Sequence, residues 1–288
     1  MGRLVVSWIS LLDVKALIAG RDGDPLVELG QLSDSGTASL SSTREMKETE
    51  PNDLPKPGYL IHEAIMGPVF RFFVQAQQVI RRIICIDLHH RSRGTLSDEF
   101  EVLQIAHKVG ADLETLWNRR PRVLDVYDQP EELFDTLNPS AAVEVCRTFR
   151  QYVANFLACF IYLHRVAFAI YPRTDRVHKA VDQIIQLARV ETIPSQREQE
   201  QEQRHLPMSF IWPLFVAGLE GSLEQRRWIA QEMQRMAESQ QTQPQRHPNA
   251  TQALTLLDEM TRRQDVSRTG ADSRCVRWEL FADSFVMI

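Results

Sequence analysis

Cys85, Asp87, His89 and His90 lie close together, and thiolate, carboxylate and imidazole are the donors that hold zinc. On a helix, Cys85 and His89 share one face. A structural zinc would need further ligands, and no paired Cys or His arrangement stands nearby. The preferred account is that Cys85 is a small buried residue. His89, His90, Arg91 and Arg93 are then cations near a helix C-terminus, where the macrodipole favours positive charge. Asp125 and Asp128, backed by Glu131 and Glu132, form the one acidic group that a magnesium-dependent helical enzyme could use. Tyr127, Gln129 and Pro130 mark this stretch as an acidic turn leading into a helix at Glu131, and adjacent metal-binding aspartates are missing. A nucleophile elbow, a Walker loop, a Rossmann glycine set and a zincin motif are also missing. No catalytic residue, cofactor-binding residue or metal ligand is assigned, and no cofactor is expected.

Phe210, Trp212, Phe215 and Trp228 could form an aromatic cage, but aromatic residues at helical spacing are better read as core. The pairs Arg119 with Arg120 and Arg262 with Arg263 fall near expected helix ends, where they complement unsatisfied carbonyls. With 33 basic against 38 acidic residues and a formal charge of -5, the chain has no basic excess to attract a phosphate backbone. Direct nucleic-acid binding is not expected. The four cysteines, Cys85, Cys146, Cys159 and Cys275, are too few and too scattered for a disulfide framework, which suits a reducing, intracellular setting.

Helices must position all these groups, because helical periodicity recurs along the chain and strand signals hardly appear. The 43% hydrophobic content is enough for a sizeable core. Leu4 to Leu12, with Asp13 and Lys15 following among Val14, Leu17 and Ile18, reads as an amphipathic helix rather than a signal peptide. Gly2 lacks a myristoylation context, since Val6 stands where that motif wants a hydroxyl. Residues 1–30 are taken as an N-terminal helical segment, 31–58 as a disordered Ser-, Thr- and Glu-rich connection, and 59–288 as the main helical domain.

Within that domain the sequence predicts a break at Gly67 and Pro68, followed by a helix ending near Gly94. Thr95 with Asp98 should cap a helix reaching about Trp117. Asn138 and Pro139 should open a long apolar helix ending at Tyr171 and Pro172. Its apolar part, Val153 to Tyr171, carries Asn155, His164 and Arg165, so it is read as a buried bundle helix and not a membrane span. Thr174 and Asp175 start the next helix, with Val177, Val181, Ile184, Ile185 and Ala188 on its buried side, and a polar gap runs from Glu191 to His205. Ser222 with Gln225 caps a helix through Met236; Gln240 to Pro248 is a loop; Asn249 caps another helix; the last covers Val276 to Phe285. No repeat period emerges, so the expected fold is all-α, an irregular stack of antiparallel helices in one domain.

The block Phe210, Ile211, Trp212, Pro213, Leu214, Phe215, Val216, Ala217, Gly218, Leu219, Glu220 resembles the signature helix of the fungal-specific transcription factor domain. Residues C-terminal to that block are similar to the family in order and spacing: Arg226, Arg227 and Ile229, then Asn249, Ala253, Leu254, Leu256, Leu257 and Glu259, then Arg263, Asp265, Trp278 and Glu279. Trp8, Leu12 and Asp13, with a glycine-containing turn to Pro25 and Leu26, resemble an earlier part of that domain, and Met260 stands where the family usually has tryptophan. Physically the block is a packing motif. Pro213 is tolerated because early helical positions need no intrahelical N–H bond, and Gly218 lets a neighbouring helix approach closely.

The family's binuclear zinc cluster needs six closely grouped cysteines, which this chain's own four cannot supply. The resemblance therefore implies a transcription-regulator-like helical domain in the nucleus, truncated and without its own DNA reader. The partners implied are a small-molecule effector, a transcription-factor or coregulator protein, and a homo- or heterodimer mate. The alternatives are a helical interaction protein that pairs with and inhibits intact regulators, and the magnesium-dependent enzyme built on Asp125 and Asp128.

Overall fold

The computed structural model describes residues 57–92, 96–192, 206–241, 249–267, 270–283, 285 and 287. The expected N-terminal helix, most of the 31–58 connection and the Thr95 cap lie outside these residues. The described residues form eight α-helices with short 3-10 turns and no strand. The helices are α1 (Pro57–Ser92), α2 (Leu96–Asn118), α3 (Pro139–Ala167), α4 (Asp175–Thr192), α5 (Ile211–Glu220), α6 (Leu223–Gln241), α7 (Asn249–Ser267) and α8 (Ser273–Leu280).

Two helices organise the packing. The long α3 lies against α1, α2, α4 and α5, and the short α5 lies against α3, α4, α6 and α7. On α3, buried residues run around the whole helix from Val153 to Leu163, as a helix enclosed by four neighbours requires. No described helix is long and apolar enough to cross a membrane. Phe156 stacks on Trp117 of α2 at 5.2 Å and touches Phe72 of α1 at 5.0 Å between ring centroids, which locks the first three helices together.

Several ends follow the local chemistry of the chain. The Asn138 side chain accepts a hydrogen bond from the Ala141 N–H at 2.8 Å, with Pro139 next to it at the first helical position. Ser222 and Gln225 form the reciprocal box: Ser222 N–H donates to Gln225 Oε1 at 2.8 Å and Gln225 N–H to Ser222 Oγ at 3.3 Å. On α4 the expected residues Val177, Val181, Ile184, Ile185 and Ala188 are all buried.

Other expectations are corrected. Gly67 and Pro68 do not break α1, which passes through them. Pro68 removes one N–H bond from the ladder, but Val69, Phe72, Ala76, Ile80, Ile83 and Ile84 form a buried stripe directly after it, and that packing holds the helix continuous. The helix α3 ends at Ala167 and not at Tyr171, because Phe168 turns out of helical geometry (φ -125°, ψ 17°) and Tyr171, preceding proline, is steered away from it. The expected polar gap begins too early, since Glu191 remains in α4 and is buried. The expected loop also begins too early, because α6 runs to Gln241. The last helix is Ser273–Leu280, not Val276–Phe285. Asp272 caps it by accepting from the Arg274 N–H at 2.9 Å, and Phe281 leaves in extended geometry to pack on Phe285.

Candidate functional site

Four of the eight described helices and one loop meet at the C-terminal end of α5. Glu220, its last residue, is bound by two arginines. One is Arg165 near the end of α3, whose Nη1 donates to Glu220 Oε1. The other is Arg173 in the α3–α4 connection, which pairs with Oε2 at 2.8 Å and donates to the Glu220 carbonyl at 2.7 Å. Arg165 Nη2 reaches Gln264 of α7 at 3.0 Å, and Gln264 Nε2 donates back to the Leu219 carbonyl at 3.1 Å. Arg226 of α6 donates to the Gly221 carbonyl at 3.1 Å and pairs with Asp265 of α7 at 2.8 Å. Five segments are thus tied at one point, and the carbonyls of Leu219, Glu220 and Gly221, where α5 stops, all find donors.

Around this knot lies a cleft of about 790 Å³, within the size range of small-molecule sites. Its polar lining includes His164, Arg165, Arg173, Glu220, Arg226 and Gln264, and its apolar lining includes Tyr162, Val166, Phe215, Leu219 and Met260. Burial pushes Arg165 below its ordinary guanidinium value, and the charge and hydrogen bond of Glu220 push it back. Burial likewise pushes His164 down; Glu220 opposes the shift, while Arg173, Arg165 and His178 add to it. The ring of His164 stacks on Phe168 at 6.4 Å, which holds the imidazole against an aromatic wall.

The signature block is buried from Phe210 to Leu219, and Gly218 makes its tight packing possible. A Cβ placed on Gly218 would sit 3.0 Å from both methyls of Leu257 on α7 and 3.4 Å from Ile229 on α6. The model of the fungal specific transcription factor domain matches residues 3–284. The chain belongs to this family. No curated protein and no solved structure matches it. As a member of the fungal-specific transcription factor domain family, it is a transcription-regulator-like protein, and its family is one of regulatory domains and not of enzymes.

Within this domain the groups singled out from the sequence fall in separate places. Cys85 is exposed, contrary to the expectation that it is buried, because position 85 falls between the core residues Ile84 and Ile86 on the outer side of α1. Asp87 lines the cleft, and the side chains of His89 and His90 lie outside the described residues. No group of three or more metal-ligating side chains converges among the described residues. Asp125 pairs with Arg120 at 2.7 Å in a 3-10 turn, Arg122–Asp128, and Glu131 and Glu132 belong to a second such turn, Pro130–Leu133. Arg120 also donates to the Trp117 carbonyl at 3.1 Å, which is the helix-end role expected of it. Arg263 bridges Glu259 of α7 and Glu279 of α8, and Arg262 pairs with Glu259. Phe210, Trp212 and Phe215 are core, and Trp228 is half-buried beneath Arg189, whose guanidinium lies 5.1 Å from its ring.

Sequence reasoning assigned no site and so missed the cleft. Arg165, Arg173, Glu220, Arg226 and Gln264 are spread over four helices and a loop, and no local spacing joins them. The available signal was an arginine, Arg165, inside the most apolar helix, since a buried cation requires a partner somewhere.

Proposed function

We propose that this chain is a regulatory module of transcription control that senses a small effector in the cleft around Glu220 and acts in the nucleus through other regulators. The cleft carries the reading. It opens where α3, α5, α6 and α7 are tied together by ion pairs, so a ligand seated there contacts the ends of several helices at once. A ligand binding one arrangement of those ends better than another shifts the population of the two. The test fuses the chain to a heterologous DNA-reading domain and follows a reporter. Ala169→Trp places a large side chain at an exposed position on the cleft lining. Reporter output that changes with growth condition for the parent and is locked for the variant supports the proposal; identical responses from both remove it.

A second reading has its own observation. Val266, Trp278 and Leu280 on α7 and α8 are exposed apolar side chains, at 77%, 57% and 38%. A helical interaction protein that pairs with intact regulators would use such a surface. Co-purification with a full-length relative, lost on Trp278→Glu, supports that reading, and a monomer without such a partner counts against it.

A further inference from the structure

Arg173 and Arg226 come from different segments, yet they are fastened to consecutive carbonyls. Arg173 Nη1 donates to the Glu220 carbonyl at 2.7 Å and Arg226 Nε to the Gly221 carbonyl at 3.1 Å. Each guanidinium spends another nitrogen on a carboxylate, Arg173 Nε on Glu220 and Arg226 Nη1 on Asp265. Nη2 of each makes no hydrogen bond to the described residues, although both side chains line the cleft and are 38% and 19% exposed. Two planar forks are therefore held on neighbouring peptide groups, each with donor capacity left for an oxyanion. Because the protein already fixes them, a ligand need not order them.

The acidic residues on the lining, Asp87, Glu220, Asp265 and Asp272, are all engaged. Glu220 gives both oxygens to arginines, Asp265 is on Arg226, and Asp272 caps α8. The same lining carries apolar side chains, with Tyr171 exposed, Val166 partly buried, and Phe215, Leu219 and Met260 buried. Arg165 differs from the other two, because its terminal nitrogens are spent on Glu220, Gln264 and the Ala271 carbonyl. We infer that the cleft takes a small organic oxyanion, a carboxylate or phosphate head on an apolar body, with the head on Arg173 and Arg226 and the body along Val166 and Tyr171. This inference rests on the effector reading of the cleft.

The experiment titrates the full chain by calorimetry with four probes that share one apolar body: 2-naphthoate, 2-naphthyl phosphate, neutral 2-naphthamide and cationic 2-naphthylmethylamine. The expected result is binding of an anionic probe with little or none of the amide and amine. Arg173→Gln and Arg226→Gln should each weaken Kd by tenfold or more, and Ala169→Trp should abolish binding, with thermal melts confirming that every variant is folded. Whichever anion binds more tightly names the head group. Binding of the amide or amine as tight as that of the anions, untouched by either glutamine variant but lost in Ala169→Trp, overturns the oxyanion and leaves the effector cleft standing. Failure of all four probes at millimolar concentration, or binding indifferent to Ala169→Trp, overturns both.

Discussion

Glu191 and Glu220 are built from the same parts and placed in opposite surroundings. Each is a glutamate near a helix C-terminus, and each is held by two arginines, at least one of them from α3. At Glu191 the partners are Arg147 and Arg150, the carboxylate is 1% exposed, and Arg150 also donates to the Tyr127 carbonyl at 2.6 Å. Glu191 and Arg150 are closed over while Arg147 stays 23% exposed, and the cluster pins α4 and the acidic 3-10 turn to α3. At Glu220 the carboxylate is 10% exposed, one of its arginines is 38% exposed, and a cleft opens beside them. The difference lies in the carboxylate and its nearest arginine: at Glu191 both are covered, Arg150 at 9% exposed, and the pair acts as a fastener. At Glu220 the clamp borders an open cleft, which on the proposed effector reading makes it a binding wall.

The largest effect is expected at the closed cluster. Glu191→Ala strands Arg150 without its counter-charge, and removing one partner of a buried pair costs about 3–5 kcal/mol. Denaturant unfolding of the variant beside the parent measures it, and a double replacement Arg150→Met with Glu191→Leu should recover part of the loss. Glu220→Gln should cost less, about 1.5–3 kcal/mol, since Arg165 keeps Gln264 and the Ala271 carbonyl and Arg173 can turn to water. Equal losses at the two glutamates would erase the distinction drawn between them.

A smaller effect is expected at Gly218. Its missing Cβ would press on the ends of Leu257, so overpacking of about 1–3 kcal/mol is opposed by a helix-propensity gain of about 1 kcal/mol on going to alanine. Gly218→Ala should therefore lower stability slightly, and Leu257→Val in the same chain should relieve it, as thermal melts would report.

The smallest effects separate the two regions by pH. Near the closed cluster, burial pushes the Cys146 thiol up to about 11, with Arg150 opposing and Glu131, Asp128 and Glu191 adding to the rise. The folded state then holds that proton after the unfolded chain has begun to release it. The associated stability is complete below the ordinary thiol value near pH 8.5 and is lost as pH climbs toward about 11. At the cleft His164 is pushed down, so the unfolded chain takes up a proton that the folded state resists. Its contribution is present above about pH 6.5 and is lost as pH falls further. Melting temperature against pH should lose its alkaline slope in Cys146→Ala and part of its acid slope in His164→Gln.

Much of the helical framework was legible because capping and amphipathic patterns act within one or two turns. Asn138, the Ser222 and Gln225 box and the buried stripe of α4 needed nothing from the rest of the chain. Pro68 misled because its local penalty is outweighed by packing of the stripe directly after it. Glu191 misled because a carboxylate at the end of an amphipathic helix looks like the start of a loop until its two arginines are seen beside it.

By itself, the sequence determined the all-α class, most helix starts, the signature block with Gly218 as its point of closest approach, and through that block the family. Only the tertiary structure decided that Arg165, Arg173, Glu220, Arg226 and Gln264 meet, that two of those arginines keep donors toward a cleft, and that Glu191 is sealed. The physical reason is range. Helix starts and amphipathic faces arise from neighbours along the chain, whereas the environment of a charge depends on which distant helices close over it, and burial decides what that charge can do.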